Sequence, residues 1–150
     1  MKSAMIFGVS LLALATASVS ARADCTNGRI SGGNTLTNLI SGSLICGRPG
    51  SGYAGNANDR WQEQHRVGLQ IFDRKLGAPP DPETQVGTWT STNGSSATYT
   101  ATYGTTPYTY AVYLITGTTY SFCIGTSEQV RGTVTAGAGV SGNGCASYPP

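Results

Sequence analysis

Only one histidine, His65, occurs in 150 residues, and the four cysteines form no Cys-x-x-Cys pair. Those two scarcities leave no ligand set for zinc and no haem attachment site, so neither a metal nor a cofactor is expected. Charge is scarce too: Asp, Glu, Lys and Arg make up 11% of the chain, too few to paint a basic or acidic face. The frames of common catalysts are missing. There is no Gly-x-Ser-x-Gly elbow, no phosphate loop and no His-Glu-x-x-His helix. Long apolar runs are absent beyond the first two dozen residues, so no membrane-spanning segment is expected after processing.

The run that does exist lies at the start. Lys2 gives a positive first turn, Ala4 to Ala17 is apolar and small, and Ala21-Arg22-Ala23 is a small-x-small cleavage pattern. This reads as a signal peptide over 1–23, with a mature chain of one domain from Asp24 to Pro150 that is secreted or periplasmic. Asp24 before Cys25 rules out a lipobox. Without Lys2 and Arg22 the nine basic residues fall to seven, against seven acidic ones. A neutral surface offers no footprint for nucleic acid or anionic lipid.

Export gives the cysteines their meaning. Cys25, Cys46, Cys123 and Cys145 all follow the cleavage point, and an even number in an oxidising compartment points to disulfides. Of the three pairings possible, the local one, Cys25 with Cys46 and Cys123 with Cys145, is expected. Each bridge would close a short loop and tie a loose end to a strand. The rival pairs Cys25 with Cys145 and Cys46 with Cys123.

Periodicity makes the rest an all-β chain. Thr35 to Ser41 can form a short helical turn, with Asn34 or Thr35 as N-cap, Leu36, Leu39 and Ile40 on one face, and Gly42 as stop. A strand follows from Ser43 to Cys46, the rival being one strand over Leu39 to Cys46, and then a glycine-rich loop from Gly47 to Asn58. Trp61, Glu63 and His65 share one face of the next strand; Gln62, Gln64 and Arg66 share the other. Past Gly68, Leu69, Ile71 and Lys75 alternate with Gln70, Phe72 and Arg74. Gly77 to Thr84, with three prolines, is a stiff loop. Val86 to Thr92 is a strand, and Asn93-Gly94 is a two-residue hairpin signal, which also explains the apparent glycosylation sequon at Asn93. Tyr99, Ala101 and Tyr103 then alternate with threonines. Tyr108, Tyr110, Val112 and Leu114 alternate with Thr109, Ala111, Tyr113 and Ile115. Thr119 to Ile124 and Gln129 to Thr135 are the last strands, before a glycine-rich tail anchored at Cys145. Sixteen threonines between Thr84 and Thr135 suit a pleated, half-buried surface. Exposed edges in such a meander are avoided by a small, partly closed antiparallel barrel or a sandwich.

Two constellations bear chemistry. Glu63 and His65 are the one place where acid-base groups crowd together, and they are the candidate catalytic pair. Glycoside hydrolysis would need two facing acids, and the spacing of Asp59, Glu63, Asp73, Asp81, Glu83 and Glu128 selects no pair. Tyr99, Tyr103, Tyr108 and Tyr110 are candidate binding residues. They either fill a small barrel with hydroxyls at the rim or form a platform for a protein or carbohydrate contact.

Gly87-Thr88-Trp89 followed by hairpins resembles the Gly-x-Trp opening of lipocalin- and avidin-like barrels. Those families place it near the mature N-terminus and close eight strands after it. Here about four strand candidates follow, so no lipocalin pocket or biotin chemistry is carried over. Leu39-Ile40-Ser41-Gly42 with Cys46, Trp61-Gln62-Glu63 with His65, Gln85 to Trp89, and Tyr120-Ser121-Phe122-Cys123 together resemble small exported bacterial proteins of unassigned function. That likeness implies export and a β-fold, and assigns no site. The sequence therefore points to an exported non-catalytic binding or structural domain. A small enzyme using Glu63 and His65, or a fibre subunit whose glycine-rich ends donate strands, are the alternatives.

Overall fold

Alternation of inward apolar and outward polar residues produces eight antiparallel strands that pair each with the next. The computed structural model describes residues 25–56, 59–74, 84–136 and 145. The signal segment, the prolines of 77–83 and most of the tail lie outside these residues. The strands are β1 (Ser43–Pro49), β2 (Trp61–His65), β3 (Gln70–Arg74), β4 (Thr84–Ser91), β5 (Tyr99–Tyr103), β6 (Thr106–Thr116), β7 (Thr119–Ile124) and β8 (Ser127–Thr135). β8 returns to pair with β1, and the barrel closes completely. Closure leaves no strand without a partner on either side. Gly87-Thr88-Trp89 lies in β4, with four strands after it.

One helix, α1 (Thr35–Ile40), leads into β1. Its Leu36 and Ile40 are buried in one cluster with Trp89, Ala97 and Val134, so the helix stoppers the barrel end where β1 starts and β2 and β4 finish. Gly42 stops it with φ of +70°, a conformation that costs glycine little. Neither expected cap forms. The Asn34 oxygen accepts instead from Asn93 Nδ2 at 2.9 Å, and the Thr35 hydroxyl donates to the Gly32 carbonyl at 2.8 Å.

That exchange explains a correction at Asn93-Gly94. The β4–β5 connection is not a two-residue hairpin but runs from Thr92 to Thr98, because pairing begins at Ser91 with Tyr99. Asn93 is drawn towards α1 by Asn34 and by Thr37, whose hydroxyl donates to it at 3.1 Å. β1 also runs past Cys46. Gly47 pairs with both Trp61 and Gly132, which places the first residues of the expected loop inside the sheet. Leu69 is not an inward strand residue: it sits in the β2–β3 turn with φ of +63° and is half exposed. Leu114 is exposed as well, at the point where β6 shifts register before Thr116.

The disulfides correct the expected pairing. Cys25 bonds Cys123, and Cys46 bonds Cys145. The cause is visible in strand lengths: β5 pairs with β6 only as far as Tyr110, leaving the upper part of β6 an edge to cover. Residues 28–30 cover it, with Ile30 N–H donating to Val112 O and Leu114 N–H to Gly28 O, each at 2.8 Å. This lays Cys25 on the outer wall next to Cys123, far from Cys46. Two strands round the ring from β7, Cys145 is bonded to Cys46 of β1, and its N–H donates to Gln62 Oε1 of β2 at 3.2 Å.

Candidate functional site

The inward face of β2 carries Trp61, Glu63 and His65, as expected from their spacing, paired in register with Gly47, Ile45 and Ser43 of β1. Across the lumen, β5 and β6 turn Tyr99, Ala101, Tyr103, Tyr108 and Tyr110 inward. The apolar end near α1 is filled by Trp89, Ile71 and Val112. The other end is hollow. A cavity of about 390 Å³ lies there, walled by Ile45, Tyr53, Trp61, Glu63, Tyr99, Ala101, Tyr103, Tyr108, Tyr110, Phe122 and Val130. That volume is within the range of small-molecule pockets.

The four tyrosines divide between core and cavity. Tyr99 is buried, with its ring against His65, Tyr110 and Phe122. Its hydroxyl shares a hydrogen bond of 2.5 Å with His65 Nε2. Tyr103 reaches across the lumen and donates to Glu63 Oε1. Tyr108 stands at the mouth, partly exposed, with its ring centroid 6.0 Å from that of Tyr103. On the opposite wall Tyr53 and Trp61 form a second tilted pair, their centroids 6.1 Å apart. Trp61 can lie flat across β1 because Gly47 faces it: a Cβ at Gly47 would fall 2.5 Å from the indole.

Electrostatics isolates one titrating group in this lumen. Burial pushes the Glu63 carboxyl up to about 7; the Tyr103 hydrogen bond lowers it and the charge of Asp73, its register partner on β3, raises it. His65 is wholly buried, and that burial pulls it down to about 3, so it is neutral at physiological pH. Its Nδ1 has no hydrogen-bond partner among the described residues. Burial drives the Tyr99 and Tyr103 hydroxyls upward and pushes Tyr110 up to about 12. The candidate pair is therefore assembled, with His65 Nε2 3.9 Å from Glu63 Oε2. The carboxyl borders the cavity, whereas the imidazole is sealed beneath it.

These two shifts oppose one another in stability. Glu63 binds its proton more tightly when folded, so its contribution falls as pH rises from about 4.5 to 7. His65 binds its proton less tightly when folded, so its contribution rises as pH climbs from 3 to 6.5. Between about pH 4.5 and 6.5 the slopes cancel and the parent should show a plateau. Glu63→Gln removes one slope. Its stability should climb with pH through that window, gaining about 3 kcal/mol on the parent by pH 7. Urea melts across pH 4–8 test this; identical profiles for parent and variant would refute the buried, proton-holding carboxyl.

Of the other carboxylates, Glu128 is buried on the outer wall, where the Arg131 guanidinium donates to it at 2.8 and 3.2 Å and the Ser121 hydroxyl donates to Oε1. That cluster braces β7 against β8, away from the lumen. Asp81 and Glu83 lie outside the described residues. Among the described residues no three His, Cys, Asp or Glu side chains could jointly hold a metal. The spacing of the sequence did not flag Tyr53, which sits in the glycine-rich connection after β1, nor Gly47, whose missing side chain makes room for Trp61. Comparison with protein-family models, with curated proteins and with solved structures gave no match. No helix of the described residues is long and apolar enough to cross a membrane.

Proposed function

We propose that the barrel is a non-catalytic receptor for a small ligand held in its lumen, acting outside the cytoplasm after export. The observation that carries this reading is the cavity of about 390 Å³, one end of the barrel being stoppered by α1 and the other walled by aromatic rings around a single carboxyl. Apolar walls with one placed polar group are what bind and orient a small molecule. Two disulfides between terminal segments and the wall suit an oxidising compartment. The closed barrel has no open edge to accept a donated strand, which weighs against the fibre.

Catalysis by Glu63 is the second reading, favoured by a carboxyl at about 7 beside a cavity. Against it, His65 is sealed off, and the hydroxyls beside the pair are engaged: Ser43 donates to Ile40 O, Tyr99 shares its bond with His65 and Tyr103 donates to Glu63. Thermal-shift screening of small cyclic and aromatic compounds, followed by calorimetric titration, tests the receptor reading. Hits should bind one per chain and be recovered unchanged, and Ala101→Phe, which puts a ring into the cavity, should abolish binding while leaving the barrel folded. Hits that bind Ala101→Phe as well as the parent would overturn the lumen as the site; hits recovered chemically converted would favour the enzyme.

A further inference from the structure

We infer that the pocket selects organic cations, holding an ammonium head against Glu63 between the ring pairs Tyr53–Trp61 and Tyr103–Tyr108. This inference rests on the lumen being a binding site and names its ligand class. Three features of the geometry carry it. The first is the aromatic enclosure: β2 and β6 stand opposite each other in an eight-stranded ring, so the two tilted pairs face across the mouth. Aromatic rings lining a site attract a cation through their quadrupoles, most strongly where water is excluded.

The second feature is an acid with spare capacity. Tyr103 occupies Glu63 Oε1, while Oε2 stands 3.9 Å from His65 Nε2, beyond hydrogen-bond range. The third is the missing counter-charge. Among the described residues no Lys or Arg lines the cavity, and none is paired with Glu63. The titratable groups around that carboxyl are His65 on its own strand, Asp73 on β3, Tyr99 and Tyr103 on β5 and Tyr110 on β6. His65 is neutral, the tyrosines stay protonated and Asp73 adds negative charge, so none of these groups supplies a positive partner. Once Glu63 is ionised, a neutral or anionic ligand leaves its charge without a partner, whereas a cation completes it.

Glu63 must be ionised to hold a cation, and the bound cation favours ionisation in return. Affinity should therefore be constant above about pH 7 and weaken below it, and binding near neutrality should release a proton.

Choline and its uncharged isostere 3,3-dimethyl-1-butanol, titrated calorimetrically into the disulfide-intact protein, provide the test. Choline should bind at least about tenfold tighter than the alcohol, weaken about tenfold between pH 8 and pH 6, and release a proton, read from buffers of different ionisation heat. Glu63→Gln should remove most of the preference for choline. Tyr108→Leu, at the partly exposed mouth, should weaken choline more than the alcohol and serves if the first variant loses its near-ultraviolet dichroism. Equal affinity for the two probes, or a preference that survives both substitutions, would overturn cation selection while leaving the lumen as a binding site. Binding of neither probe by a protein that takes up other compounds in the lumen would overturn it as well.

Discussion

Trp89→Ala is expected to destabilise the barrel by about 3–5 kcal/mol, the cost of emptying a core position that a large aromatic filled. Trp89 is 1% exposed. It shares its strand face with Gly87 and Ser91, two small residues that cannot expand into the void. Its indole lies edge-on to His65, with centroids 6.2 Å apart, and its Nε1–H donates to Arg66 O at 3.0 Å, linking β4 to the end of β2. The cluster it joins includes Leu36 and Ile40 of α1, so truncation loosens the stopper as well as the wall. Trp89→Phe should cost less, because it keeps much of the volume and loses mainly the hydrogen bond. Denaturant melts with the disulfides intact measure both. An alanine variant as stable as the parent would mean that this strand faces the other way, with its apolar side outward.

Replacing both Cys25 and Cys123 by alanine should cost a comparable amount, about 5 kcal/mol in the chain-entropy model, since the bridge joins residues 98 apart. Cys46 and Cys145 are 99 apart, so that model assigns their bridge the same value. The two differ in what they hold locally. Cys25 pins residues 28–30 along the upper part of β6, whereas Cys145 anchors to β1 and Gln62. A larger loss for the Cys25/Cys123 double variant would measure the covering of that strand edge over and above loop entropy. Peptide mapping without reduction should yield Cys25–Cys123 and Cys46–Cys145 fragments. A Cys25–Cys46 fragment would contradict the path of the N-terminal segment over β6.

Strand identity and facing were readable because they depend on local alternation. The inward set Trp61, Glu63 and His65, the set Tyr99, Ala101 and Tyr103, and the helical turn bearing Leu36 and Ile40 all follow from period alone. What sequence could not supply was anything decided between distant segments. Cys25 meets Cys123 because β6 outruns β5, a length difference that becomes meaningful only once the strands are paired. Asn93-Gly94 carries a strong turn preference, yet Asn34 and Thr37 of α1 draw Asn93 into another set of hydrogen bonds. The cavity was similarly hidden. Tyrosines on alternate positions fit a filled barrel or a hollow one equally well, and the choice depends on Gly47 and Ala101 being small where the opposite wall carries rings. The candidate pair Glu63 and His65 was legible as neighbours, but their opposite fates, one bordering a cavity and one sealed under Tyr99, come from the third dimension.

Methyl-detected NMR during titration with a thermal-shift hit bears most directly on the central claim, that the lumen is the binding site. Ile45 and Val130 line the cavity, while Val67 and Ile124 are exposed outside it. Saturable shifts confined to the Ile45 and Val130 methyls, reaching their limit at one ligand per chain, are the predicted result. Shifts at Val67 and Ile124 with Ile45 and Val130 unmoved would contradict it, and would place binding outside the lumen.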